Sequence, residues 1–90
     1  MRAANKVHFV TKLFDILQTG EHFDVISWSE DGTQVVVKNR QRVLEEVLLV
    51  KFKLKNYDSF VRQLNIYDFK KVDQPSVYSS IYMNVNFKRN

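Results

Sequence analysis

The most informative stretch of the chain is Asn56-Tyr-Asp-Ser-Phe-Val-Arg-Gln-Leu-Asn-Ile-Tyr-Asp-Phe-Lys-Lys-Val72. At about 100° per residue, helical spacing places Phe60, Leu64 and Tyr67 on one narrow apolar stripe. Arg62 falls almost opposite that stripe, and Asn56 stands where a helix needs an N-cap. The pattern predicts a helix that packs one face on a protein core and presents a charged face outward.

The outward face of this predicted helix carries side chains that suit DNA recognition. Besides Arg62, its members are one acidic, two polar and one apolar residue: Asp58, Ser59, Asn65 and Ile66. An arginine can bond O6 and N7 of one guanine, and an apolar tip can touch a thymine methyl. Ser and Asn suit phosphate contacts, which set position rather than sequence. The same residues also fit an ordinary solvated helix face, and the helix alone leaves both interpretations open.

Length and composition narrow the possible classes of protein. The 90 residues are enough for one domain with a modest core, so we expect a single domain over residues 1–90 with its core at about 9–89. The chain has no cysteine, which excludes disulfides, thiolate metal sites and cysteine nucleophiles. No apolar run reaches membrane-spanning length, and the N-terminus lacks the apolar core of a signal peptide. We therefore expect a soluble intracellular protein that binds no membrane.

The sequence offers little for catalysis. Its two histidines, His8 and His22, lie near the front of the chain and are expected at the surface. Glu45-Glu46 are consecutive, so they point in different directions on a helix and make a poor carboxylate pair. The two glycines are too few for a loop that cradles phosphate. We expect no enzyme activity, no metal, no cofactor and no small-molecule substrate.

The positive charge is concentrated in the middle of the chain. Residues 38–71 hold nine Lys and Arg against four Asp and Glu, whereas residues 1–37 hold three against five. A basic segment behind an acidic front is typical of a face that binds a polyanion. Charge runs also arise simply to keep a face hydrated, so this distribution supports nucleic-acid binding without proving it.

Periodicity and turn signals predict the remaining elements. They are a helix over 9–18, strands over 25–29 and 35–37, a helix that begins after Asn39 and ends before a basic link at 51–55, and, after the helix described above, strands over 69–72 and 81–87. Turns are predicted at Asp31-Gly32 and at 74–76. Two consecutive helices joined by a short link form a helix-turn-helix. The predicted fold is α+β, a winged helix-turn-helix with three helices packed on a small four-stranded antiparallel sheet.

The chain resembles the DNA-binding domain of the heat shock transcription factors over nearly its whole length. The resembling segments are Phe9-Val-Thr-Lys-Leu-Phe14, Ile26-Ser-Trp-Ser29 with Asp31-Gly32, Val47-Leu48, Phe52-Lys53, Ser59-Phe-Val-Arg-Gln-Leu-Asn65, Tyr67, Phe69 and Lys71-Val72. The run from Ser59 to Asn65 is the most specific of these. It stands at the expected distance from the upstream Ile-Ser-Trp-Ser and its turn.

The resemblance implies a nuclear transcription factor domain whose third helix reads GAA-type repeats in double-stranded DNA. Arg62 occupies the place of the arginine that contacts guanine in the family. Residues implied at the DNA backbone or beside the groove are Ser59, Asn65, Lys53 and Lys71, bordered by Gln63, Asn56, Lys55 and Lys70, with Arg89 matching a terminal family arginine. Trp28 is implied as a core residue.

Three departures from the family pattern fall in and after the helices. Leu49 stands where the family usually has a proline that distorts the second helix, so we expect a straighter helix here. The run 48–50 must then find extra cover. Asp68 stands where the family has glycine, and Asp adopts a left-handed conformation at some cost. Asp58 replaces a small or hydroxyl residue, which adds negative charge near the groove and favours the helix start.

The wing departs most from the family pattern. Only about eight residues separate Val72 from the fourth strand, so the contacts between neighbouring domains that the family's longer loop makes are in doubt. For the last strand, the family pattern places Tyr82 inward, whereas simple alternation places Ile81, Met83 and Val85 inward. We expect the alternation.

A second class of function is a winged-helix module that binds another protein, because one fold hosts unrelated functions. Ile66 and the run 48–50 would then form an apolar docking patch. Salt separates the two, since DNA affinity falls steeply with added salt and apolar docking does not. We expect the isolated domain to be monomeric. The family's coiled-coil trimerisation segment does not appear in these 90 residues.

Overall fold

The computed structural model describes residues 2–89, with side chains from residue 8 onward. Its helices are α1 (Arg2–Thr19), α2 (residues 40–52) and α3 (Tyr57–Ile66). Its strands are β1 (Ile26–Trp28), β2 (Gln34–Val37), β3 (Lys70–Ser76) and β4 (Ser79–Met83). The order is the predicted one, and the arrangement is a winged helix-turn-helix.

The turns and helix ends at Gly20, Gly32, Asn39 and Asp68 follow their local sequence signals. Gly20 ends α1 with a φ of +69°, and Gly32 occupies the β1–β2 turn with a φ of +74°, both in the left-handed region that glycine adopts without strain. Asn39 caps α2 by accepting from the Arg42 backbone N–H at 3.0 Å. Asp68 adopts the expected left-handed conformation after α3, with a φ of +67°.

The second helix is not the straighter helix that the sequence predicts. It begins as an α-helical turn at Arg40–Val43 and continues as a π-helix over Leu44–Phe52. The wider turns accompany packing of Phe52 against Phe9, with ring centroids 5.4 Å apart. Tertiary packing thus overrides the regular hydrogen bonding that a leucine at 49 would allow. Leu48 is fully buried, but Leu49 and Val50 remain 43% and 58% exposed and find no cover.

The four strands form one antiparallel sheet in the order β1-β2-β4-β3. The predicted turn at 74–76 is wrong, because β3 continues to Ser76 and the turn is the pair Val77-Tyr78. Pro75 is tolerated in β3 because this is an edge strand, where a missing N–H need not break the sheet. The wing is therefore a tight hairpin without a loop.

The expected alternation in the last strand is also wrong. β4 ends at Met83, Tyr82 is buried, and Val85 is 69% exposed. The register pairs Val35 with Tyr82 and Val37 with Ser80, and residues directly opposite each other share a face of the sheet. The inward valines of β2 therefore set the inward residues of β4. Ile81 and Met83 lie on the other face and are partly buried.

Aliphatic and aromatic side chains share the core, and aromatic contacts fix α3 against the rest of the domain. Phe60 and Leu64 are fully buried on the inner side of α3. Phe9 of α1 contacts Phe60 and stacks on Tyr67, with ring centroids 6.1 Å and 5.4 Å away. Trp28 is a core residue, as the resemblance implies, and donates its indole N–H to Gln18 at 3.0 Å.

Candidate nucleic-acid interface

The helix α3 begins at a fully formed cap. Asn56 Oδ1 accepts from the Ser59 backbone N–H at 2.8 Å and from the Ser59 hydroxyl at 3.0 Å. The cap satisfies donors that a helix start would otherwise leave unpaired. With Phe60 and Leu64 fixing the inner side, the outward side chains of α3 start from a rigid backbone.

Arg62 projects from the outward side of this helix. Its side chain is exposed, and it makes no hydrogen bond or salt bridge with any residue that the structure describes. Asp58, Asn65 and Ile66 are exposed beside it. The angular arrangement predicted from the sequence is thus observed, with the buried seam on one side and Arg62 among exposed residues on the other. The guanidinium keeps all five of its N–H donors for a ligand.

Ser59 and Asn56 bond each other, which reduces the number of hydrogen-bonding groups that they can offer a ligand. The Ser59 hydroxyl is half-buried and donates its proton to Asn56, so it is occupied as a donor. The amide Nδ2 of Asn56 makes no hydrogen bond to a described residue. Of these two side chains, Asn56 therefore keeps a donor for an anion, its Nδ2.

The link between α2 and α3 supplies two exposed lysines, Lys53 and Lys55. Lys53 ends α2 in a left-handed conformation, with a φ of +59°, and its N–H donates to the Leu48 carbonyl. Gln63 is half-buried and lines a cleft with Phe9, Ile66 and Leu54, the residue between the two lysines.

The two lysines that open β3 face opposite ways. Lys71 is paired with Tyr82 and Lys70 with Met83, so Lys71 shares the face that carries the helices and Lys70 shares the other face. Lys71 Nζ donates to Gln74 Oε1 at 2.6 Å. The structure therefore places Lys71, and not Lys70, on the α3 side of the sheet.

Arg89 is positioned by a different part of the fold. Its backbone N–H donates to the Gly32 carbonyl at 2.8 Å, and its guanidinium donates to the Glu30 carbonyl at 3.2 Å. The guanidinium covers Gly32 so closely that a Cβ there would lie 2.9 Å from Arg89 Nε. These contacts hold Arg89 against the β1–β2 turn, apart from the cluster around α3.

Sequence patterns miss a second arrangement at the start of α3, formed by Tyr57, Tyr82 and Arg40. The hydroxyls of Tyr57 and Tyr82 lie 3.0 Å apart, and burial, reinforced by this hydrogen bond, raises the pKa of Tyr57 well above its usual range. The guanidinium of Arg40 lies 4.9 Å from the centre of the Tyr57 ring. No local signal could have found this group, because its members come from α2, α3 and β4.

Not every cation near the helix-turn-helix is available to an anion. Arg42 bonds Asp24 and Glu46, each at 2.8 Å. Hydrogen bonds to Glu46 and Asp24 raise the pKa of Arg42, and the bond from Arg42 lowers the pKa of Asp24. This guanidinium is already neutralised by two carboxylates, in contrast to Arg62.

Two further classes of site are absent among residues 2–89. The side chains described there include no group of three His, Asp or Glu that could hold a metal ion. No helix in this range is both long and apolar enough to cross a membrane.

Sequence comparison relates the chain to known DNA-binding domains. A family model described as HSF-type DNA-binding matches residues 9–90. Heat stress transcription factor B-2a of Arabidopsis thaliana is 47% identical over 64 residues, which cover 71% of this chain and 21% of that protein. The heat shock transcription factor of Kluyveromyces lactis is 39% identical over 89 residues, covering 90% of this chain and 13% of that protein. The chain thus spans only a small part of these relatives.

Structure comparison gives the same picture. Skn7 of Chaetomium thermophilum, solved with HSE DNA, superimposes with a TM-score of 0.81 at 36% identity, covering 89% of this chain and 85% of that one. A heat shock transcription factor in complex with DNA superimposes with a TM-score of 0.76 at 40% identity, covering 86% and 93%.

Proposed function

Because the chain belongs to the family of HSF-type DNA-binding domains, we propose that it binds double-stranded DNA sequence-specifically, as the DNA-binding domain of a heat-shock-type transcription factor. The observation that carries the proposal is Arg62, exposed and unpaired among the described residues, opposite a seam of fully buried side chains. An arginine so placed needs no rearrangement to enter a groove.

In this proposal α3 lies in the major groove and Arg62 bonds O6 and N7 of the guanine in a GAA-type repeat. One bidentate arginine–guanine contact gives about 1–3 kcal/mol of base discrimination. Ile66, exposed on the same face, is suited to a thymine methyl of the same site.

Contacts to phosphate supply most of the affinity and none of the sequence preference. The residues proposed for this role around α3 are Asn56, Asn65, Lys53, Lys55, Gln63 and Lys71, together with Ser59 once its hydroxyl turns from Asn56 to the phosphate. Lys70 and Arg89 remain candidates, although Lys70 is on the other face of the sheet and Arg89 lies on the β1–β2 turn. An affinity built on such contacts falls steeply with salt.

We further propose that the 90 residues form one domain, monomeric in isolation, of a protein that acts in the nucleus as a regulator of transcription. We assign it no catalytic role. A lone domain binds weakly, and tandem sites gain through effective concentration if several domains are linked by a coiled-coil segment outside these residues.

The competing function is a protein-interaction module. The apolar exposure of Ile66, Leu49 and Val50 favours it, because exposed apolar patches mark docking surfaces. Docking through them would be insensitive to salt.

The test is a titration of a duplex with inverted GAA units and of a scrambled duplex, each at two salt concentrations, with wild type, Arg62→Ala and Arg62→Lys. Both variants are expected to lose the preference for GAA, about 5- to 150-fold for a contact of 1–3 kcal/mol. Arg62→Lys keeps the charge but not the bidentate fork, so it should keep the salt dependence of wild type. Thermal stability should stay nearly unchanged, since the side chain is exposed.

Survival of the GAA preference in Arg62→Ala would show that Arg62 does not read the base. Wild-type binding that ignores both sequence and salt would favour the interaction module instead.

A further inference from the structure

Arg40 lies where three elements meet. It is the first residue of α2, and its guanidinium lies 4.9 Å from the ring centre of Tyr57, the first residue of α3. Its backbone N–H donates to the Tyr78 carbonyl at 2.8 Å, and its Nη1 approaches the Val77 carbonyl at 3.5 Å. The tip of the β3–β4 hairpin is therefore docked beside the start of α3, with Arg40 between them.

The guanidinium of Arg40 is held in place, but most of its N–H donors have no partner among the described residues. The ring beneath it is immobilised, because Tyr57 packs on Phe60 with centroids 5.8 Å apart and its hydroxyl bonds Tyr82. Only one of five N–H donors has a carbonyl partner, at the long limit of a hydrogen bond. The side chain is exposed, and no carboxylate among the described residues pairs with it. A stacked arginine loses little further entropy on binding.

The position of Arg40 relative to α3 identifies the ligand. When the outward face of a helix enters the major groove, the sugar–phosphate strands run along its two flanks. Tyr57 falls about 140° around α3 from Arg62, on the side that contacts β4 through Tyr82. Lys71 lies on that same side, since it shares the face of Tyr82. Arg40 and Lys71 thus place two cations on one flank of α3.

We propose that Arg40 binds a backbone phosphate of the DNA, on the strand that runs past the start of α3 and the hairpin tip. The inference rests on the proposed function, because it takes α3 to be the helix in the groove. Guanidinium and phosphate form short, bidentate, charge-assisted hydrogen bonds. The contact fixes the approach of the domain and carries no sequence preference. It also gives the shortened hairpin a role, which is to hold one wall of an anion site.

The chain offers a matched control for this inference in Lys38. Its ammonium lies 3.7 Å from the ring centre of Phe23 and donates to the Phe23 carbonyl at 2.7 Å. It is therefore a cation held by a ring and a carbonyl, as Arg40 is, but beside the segment that precedes β1. The strand β1 lies at the opposite edge of the sheet from β3.

The experiment titrates GAA and scrambled duplexes with wild type, Arg40→Gln, Arg40→Lys and Lys38→Gln across a series of salt concentrations. Arg40→Gln keeps a donor for the Val77 carbonyl and removes the charge. It should weaken binding to both duplexes equally, by about 3- to 10-fold at 0.1 M salt, and lower the slope of log K against log salt by about 0.9. Arg40→Lys should retain the slope, and Lys38→Gln should match wild type.

Uncharged methylphosphonate groups, placed one at a time along the duplex, give a second readout that does not depend on protein stability. Wild type should lose affinity at one particular position, and Arg40→Gln should be insensitive to that substitution. The inference is overturned if Arg40→Gln leaves the slope unchanged, loses affinity only in proportion to its melting temperature, or responds to every methylphosphonate as wild type does. Arg40 would then only fasten the hairpin to α2. Failure of wild type to bind either duplex would instead sink the proposed function.

Discussion

The helix α3 and the β3–β4 hairpin both border the proposed DNA interface, but they differ in whether their polar side chains are already hydrogen-bonded to one another. On α3, Arg62 and Asn65 are exposed and bond no described side chain. In the hairpin, Lys71 bonds Gln74 at 2.6 Å, and the hydroxyls of Ser76 and Ser79 lie 2.9 Å apart. A helix fixed by its buried face can leave its outer face free for a ligand. The strand β3 has no buried residue and lies at the edge of the sheet, so bonds among the hairpin's own side chains help to hold its shape.

The largest difference between the two regions should appear in stability. Phe60→Ala removes a fully buried ring from the inner side of α3, and it should lower the free energy of unfolding by about 3–5 kcal/mol. Val77→Ala, at the exposed tip of the hairpin, should change it by less than about 0.5 kcal/mol. Urea denaturation of both variants measures these values. A comparable loss in Val77→Ala would mean that the hairpin tip carries part of the core.

Removal of the α3 cap should cost less stability than removal of Phe60, and it should also reduce DNA affinity. Asn56→Ala should cost about 0.5–2 kcal/mol of stability and, by removing a free amide donor, should also weaken DNA binding. Asn39→Ala is the matched control, because Asn39 caps α2 through the same kind of bond to Arg42. We expect similar stability losses and a loss of DNA affinity, measured well below both melting temperatures, only in Asn56→Ala. Equal DNA affinity in the two variants would remove Asn56 from the proposed interface.

The contribution of the hairpin to DNA binding should be electrostatic and uniform. Lys71→Ala should weaken all duplexes alike and lower the salt slope by about 1. Lys70→Ala removes the same charge from the other face of the same strand and should lower the slope less than Lys71→Ala does, because that face is directed away from α3. Fluorescence anisotropy titrations at several salt concentrations measure both. A loss confined to GAA duplexes in Lys71→Ala would contradict its assignment to phosphate.

The same contrast explains which features the sequence could predict. The cap, the buried seam and the outward arginine of α3 depend on residues within one or two helical turns, so spacing alone was sufficient. The inward position of Tyr82 depends on Val35, which is far away in sequence but directly opposite in the sheet. Alternation within one strand cannot determine which of its faces is buried.

The remaining misses have the same origin in contacts between distant residues. The π-helical turns of α2 accompany the packing of Phe52 against α1, and Arg40 gains its position only from Tyr57 and the hairpin tip. Lys70 and Lys71 are indistinguishable in sequence until the sheet register separates them. The family resemblance predicted the inward Tyr82 correctly where the local pattern failed, because it carries tertiary information that no single segment contains.

The smallest predicted effect is that of the Asp58 carboxylate, which should stabilise the fold and weaken DNA binding. Asp58 lies in the first turn of α3, where a carboxylate interacts favourably with the helix dipole and stabilises the helix by about 0.3–1 kcal/mol. It is also exposed beside Arg62, where it repels phosphate. Asp58→Asn should therefore lower the free energy of unfolding slightly and raise affinity for every duplex, with the gain shrinking as salt screens the charge.

Denaturation and DNA titration of wild type and Asp58→Asn measure the change in the free energy of unfolding and the change in affinity. Asp58→Ala is a second variant, which lacks both the carboxylate and the amide of the introduced asparagine. A carboxylate can instead accept a hydrogen bond from the exocyclic amine of cytosine in the major groove. In that case Asp58→Asn would change the preferred base at one position rather than raise affinity uniformly. An equal gain in affinity for every duplex would leave Arg62 as the one charged side chain of α3 proposed to contact a base. A changed base preference would add Asp58 as a second.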